Sequence, residues 1–75
     1  MQLYVPIETP TDDDYTMVMR YQRDRLLADS DWTQIPDSSL SDSDRQAWAT
    51  YRQQLRDFPA SWTPGPTANF PEPPA

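Results

Sequence analysis

Asp12-Asp13-Asp14 and the Ser38-Ser39 pair are the closest this chain comes to a constellation that could do chemistry. A carboxylate triplet could hold a cation. Calcium loops, however, spread their ligands over several spaced positions and place a glycine in the turn, and neither feature accompanies these acids. Directly after Thr11, the same residues instead satisfy the free N–H groups of a helix start and complement its positive dipole end. That is the reading the pattern favours. Ser38-Ser39 lies in a polar turn with no base beside it in sequence. Histidine, cysteine and lysine are absent, which removes the common general base, the thiol nucleophile and Schiff-base chemistry. A single glycine leaves no room for a Gly-rich phosphate loop. No catalytic, cofactor-binding or metal-ligating residue is expected, and an enzymatic function is not expected either.

The elements that would position any site are two helical patterns. The first runs from about 13 to 28, with Tyr15, Val18, Met19, Gln22 and Leu26 on one face. Met17, Tyr21 and Leu27 broaden its apolar surface, as expected of a helix that meets more than one neighbour. Arg20 and Asp24 stand four apart and are spaced to pair. The second runs from about 42 to 58. Ser41 with Asp44 has capping-box spacing, and Ala47, Trp48, Tyr51, Leu55 and Phe58 form an amphipathic face that Pro59 is expected to stop. Between them, residues 29–40 read as turn chemistry around Pro36. Trp32 and Ile35, large and apolar inside that polar linker, are expected to fold back over the open end of the hairpin.

The ends have a different character. Residues 1–10 favour strand at Leu3-Tyr4-Val5 and Ile7, but Pro6 and Pro10 remove backbone donors, so an extended arm is expected. Residues 60–75 are rich in proline and carry two aromatics, Trp62 and Phe70, expected to be exposed. The fold class is therefore all-α: a small two-helix hairpin over 11–59, an extended N-terminal arm, and a proline-rich C-terminal tail.

Length limits what such a hairpin can do alone. Ordering each residue costs roughly 1–2 kcal/mol of backbone entropy, against about 25 cal/mol for each Å² of apolar surface removed from water. At 75 residues these nearly cancel unless a disulfide, metal or partner is added. Without cysteine or histidine, a partner chain is the expected staple. Twelve acids against six arginines give a net charge of −6, which argues against nucleic acid and anionic membrane surfaces as partners. No apolar run approaches the roughly 20 residues of a membrane span. MQLYVPIETP lacks the basic and apolar regions of a signal peptide. A role in the cytoplasm is expected.

Arg23-Asp24-Arg25-Leu26-Leu27, Ser30-Asp31-Trp32-Thr33-Gln34-Ile35-Pro36-Asp37 and the later Trp48-Ala49-Thr50-Tyr51-Arg52-Gln53-Gln54-Leu55-Arg56-Asp57 together resemble the bacteriophage tail assembly chaperones. Their pattern is RDxLLxxSDWTQLPD followed by WxxYRQxLRD. The resemblance spans roughly residues 20–59, with Ile35 and Phe58 standing where the family commonly has leucine. It implies a helper that engages a phage tail or tail-fibre protein during folding or assembly in the host cytoplasm. Retention in the virion tail as a minor fibre component is compatible with it, and no small-molecule substrate is implied.

Trp, Tyr and Arg dominate interface energetics, so Leu27, Trp32, Ile35, Trp48, Tyr51, Arg52, Leu55 and Arg56 are the expected partner-binding residues. Intrachain burial is the competing fate. Trp48 and Leu55 are the ones most expected to turn inward, toward Leu26 and Val18. Arg52 and Arg56 either line the solvated edge of the second helix or reach client carboxylates. The alternative from another class is an acidic inhibitor or nucleic-acid mimic. Its acids would form rows on one face, whereas here they gather at helix starts and in the linker.

Overall fold

A computed structural model describes residues 9–74 as two α-helices joined through a short 3-10 turn and followed by an irregular tail. Most of the N-terminal arm expected over 1–10 lies outside the described residues.

Helix α1 spans Asp12–Asp29. Its start is a complete capping box: the Asp14 amide donates to the Thr11 hydroxyl at 3.2 Å, and the Thr11 amide donates to the Asp14 carboxylate at 2.9 Å. The acid triplet is thus used at a helix N-terminus. Among the described residues no cluster of acids is arranged to hold a metal ion. Asp24 does not pair with Arg20 as its spacing suggested; it accepts from the adjacent Arg23 at 3.0 Å instead.

The 3-10 turn spans Asp31–Gln34 and α2 spans Asp42–Ser61. The Ser41 hydroxyl accepts from the Asp44 amide at 3.1 Å and so caps α2. Pro59 does not stop this helix, which continues to Ser61 and turns extended only at Trp62. Proline clashes chiefly with the turn before it and forfeits one hydrogen bond. Near a helix end, packing offsets that loss, and Phe58 and Trp62, on either side of Pro59, stack with ring centroids 6.3 Å apart.

The helices run antiparallel, with the last turn of α1 beside Arg52 and its first half beside Trp62. Among the described residues the buried apolar side chains are Met19, Tyr51 and Leu55. Val18, expected on the inner face, is 56% exposed. Neighbouring helical residues point about 100° apart, so α1 cannot turn Val18 and Met19 equally inward, and Met19 takes the interior position. No helix of the described residues is long and apolar enough to cross a membrane.

Candidate functional site

The tip of the hairpin, where α1 passes through the 3-10 turn toward α2, concentrates most of the residues expected to bind a partner. It is built from polar side chains that close one another's valences. Helix α1 has no basic residue in its last turn; Ser30 caps its final carbonyls through its amide and hydroxyl, and Arg52 of α2 adds a charged donor to one of them. One guanidinium nitrogen, Nη1, donates to the Leu27 carbonyl at 2.6 Å and to the Ser30 hydroxyl at 2.8 Å. The other, Nη2, donates to Asp31 at 2.7 Å. Ser30 is itself buried, its hydroxyl lying 2.9 Å from the Leu26 carbonyl.

Thr33 continues the network. Fully buried, it donates its hydroxyl to the Ser30 carbonyl at 2.6 Å. Gln34 then donates one amide nitrogen to the Thr33 hydroxyl at 3.1 Å and to the Arg45 carbonyl at 3.3 Å. The side chains of Ser30, Asp31, Thr33 and Gln34 are therefore each tied either to their own turn or to α2. This explains why a short polar block sits in the middle of an apolar hairpin: it is the joint.

The joint decides which way the two large linker residues point. Trp32 and Ile35 do not close over the open end. They remain 48% and 50% exposed: Thr33 takes the inward position of the turn, and Ile35, just past its end, is extended. Trp32 leans on the half-buried Trp48, with ring centroids 6.2 Å apart and planes tilted by 55°. Trp48 in turn meets Tyr51 edge to face at 5.6 Å, a favoured geometry for aromatic pairs. An aromatic ladder thus runs from buried Tyr51 outward to Trp32. Burial of Tyr51 raises its phenol pKa above the ordinary value, through loss of hydration of the charged form.

The expected partner-binding residues therefore separate by position. Trp32 and Ile35 face solvent, and Trp48 and Leu27 are half-buried. Tyr51 and Leu55 lie in the interior, and Arg52 is spent on the joint. Arg56 is exposed and donates to Gln53 at 2.8 Å. Outside that set, Met17, Val18 and Tyr21 expose 56% to 67% of their surface along α1. Met17 and Tyr21 already broadened the apolar surface of α1 in the sequence; Val18 did not stand out, because its spacing matched the inner face.

The tail adds a second layer. Trp62 and Phe70, expected to be exposed, are both half-buried. Phe70 packs 4.6 Å from Phe58, and the Trp62 indole N–H donates to the Thr67 carbonyl at 3.0 Å.

A protein-family model described as "phage tail assembly chaperone protein" matches residues 16–75. No curated protein and no solved structure matches the chain. The matched span takes in α1 from Thr16 onward, the joint, α2 and the tail.

Proposed function

The chain belongs to the phage tail assembly chaperone family, and on that premise we propose that it covers apolar surface on a tail or tail-fibre client. The client is held soluble in the host cytoplasm until it assembles. One observation carries this reading: a hydrogen-bonded joint holds Trp32 and Ile35 outward, half in solvent, beside Trp48. Large apolar side chains that a hydrogen-bonded turn holds outward suit recognition of another surface. Half-buried Leu27 and exposed Arg56 are included in the proposed contact, and Tyr51 supports Trp48 from beneath. Met17, Val18 and Tyr21 extend the apolar contact along α1.

The test is co-expression with the product of the neighbouring reading frame, followed by pull-down through a tag on this chain. A soluble complex is expected, with recovery of the client falling when Trp32 and Ile35 are both changed to Ala. Equal client solubility with and without this chain would overturn the reading. Salt-stable co-purification with virions separates retention as a minor fibre component from release after folding.

A further inference from the structure

After a bend at Gly65-Pro66, the tail turns back along the hairpin as an irregular strap over residues 63–74. Its anchor is Phe70, which packs on Phe58 of α2 and lines a shallow depression with Tyr21, Gln22, Arg25 and Leu26 of α1. Nearer the end of α2, Gly65, Pro66, Thr67 and Ala68 face Tyr15, Val18, Met19 and Gln22 across an open depression of about 240 Å³. Gly65, Ala68, Phe70, Pro71 and Pro74 are half-buried, and the residues between them are exposed. Among the described residues no hydrogen bond joins 63–74 to α1 or α2; the contact at Thr67 comes from Trp62, beyond the helix end.

These features describe a replaceable occupant. Apolar contact and one aromatic anchor hold the strap, and the depression beneath it is only partly filled. Prolines keep such a segment extended before it docks, so seating costs little further order. The same chemistry in another chain would fit the same seat.

We propose that this face of the hairpin is a peptide groove for an extended, proline-spaced client segment with one aromatic anchor, and that the chain's own tail holds it until displaced. The inference rests on the chaperone reading for the source of the outside segment. Failure of the co-expression pull-down would remove that source without touching the groove, which is tested separately.

The test uses the full chain and a labelled synthetic peptide of residues 63–75, titrated by fluorescence anisotropy. In the wild-type protein the tethered tail competes at an effective concentration on the order of 1 mM. A peptide with an affinity of about 100 µM is then weakened roughly tenfold. Phe70→Ala in the full chain should relieve that competition and bind the peptide at least about tenfold more tightly than wild type. A peptide carrying Phe70→Ala, or Ala at both Pro66 and Pro71, should bind neither protein. Should Phe70→Ala lose its helical circular dichroism, Ala68→Asp takes its place, lifting the strap by burying a charge against α1 while leaving Phe58 untouched. Equal affinity for wild type and the strap variant, no binding at 1 mM peptide, or undiminished binding of the altered peptides would each overturn the proposal.

Discussion

The guanidinium of Arg52 donates to the carbonyl of Leu27 at 2.6 Å, so a cation carried by α2 closes the last turn of α1. This single side chain couples the two helices. It adds a charged donor to a carbonyl that the Ser30 amide already caps at 3.2 Å, sits at the negative end of the α1 dipole, and fixes Ser30 and Asp31 at the start of the turn. Arg52→Ala removes the charged donor from a partly buried site and leaves Leu27 with its Ser30 cap alone. The expected cost is about 1.5–3 kcal/mol, read as loss of helical circular dichroism at low temperature. Arg52→Lys keeps the charge without the planar fork and should fall between the two. Unchanged helicity in Arg52→Ala would show that the joint does not depend on this cap.

Thr33 is the other half of that joint. Its methyl could be kept by valine, but its hydroxyl is the donor to the Ser30 carbonyl. Thr33→Val should therefore destabilise by about 1–2 kcal/mol, although it is isosteric and fully buried, where a purely hydrophobic position would accept the change. Helical circular dichroism of the two proteins at low temperature measures the difference. A variant as stable as wild type would mean the hydroxyl is not holding the turn.

Much of this architecture was readable from residue types. The 3.6-residue spacing in both segments, Thr11 before three acids and Ser41 before Asp44 identify two capped helices, because those signals are local. Three features were not local. Arg52 looked like a helix edge or a client contact because its partners lie 21 to 25 residues away, and nothing in its own helix reveals a cap on another. Trp32 and Ile35 read as inward-facing by hydrophobicity alone, which cannot register that Thr33 takes the interior to satisfy a carbonyl. Pro59 read as a stop because its cost is intrinsic, whereas the stacking of Phe58 with Trp62 that offsets it depends on the folded tail.

Tyr51 makes stability depend on alkaline pH. Its folded pKa lies above the ordinary phenol value near 10 because burial disfavours the phenolate. A raised pKa means that the unfolded chain releases its proton first. The contribution is complete below about pH 10 and is lost as pH climbs through the folded value. Helicity should hold through neutral pH and drop above about 10. Tyr51→Phe should remove that drop relative to wild type, whatever the other tyrosines do. Parallel alkaline curves for both proteins would show that Tyr51 ionisation is not linked to folding.

The interior is small. Met19, Tyr51 and Leu55 are the buried apolar side chains among the described residues, and chains of this size gain little surplus stability from one core. The isolated protein should therefore melt over a broad range without a sharp midpoint, and gain helicity when its client is added. Circular dichroism with and without client decides this. A steep two-state melt of the monomer in dilute solution would sink it.

Surface and support separate cleanly by mutation. Leu55 is fully buried, so Leu55→Ala opens a cavity and should cost about 2–5 kcal/mol, lowering helicity and client recovery together. Trp32 and Ile35 are half in solvent, and their side chains do not complete the joint. Changing both to Ala removes their half-buried contact with the hairpin and should cost less than Leu55→Ala, about 1–2 kcal/mol. Client recovery should nevertheless fall severalfold, since truncating an interface anchor commonly costs about 1–2 kcal/mol or more. Trp48→Ala should do some of each, because its ring bridges buried Tyr51 and exposed Trp32. The decisive comparison is client yield at matched helicity. If the Trp32/Ile35 variant recovers as much client as wild type, the exposed tip is not the working surface.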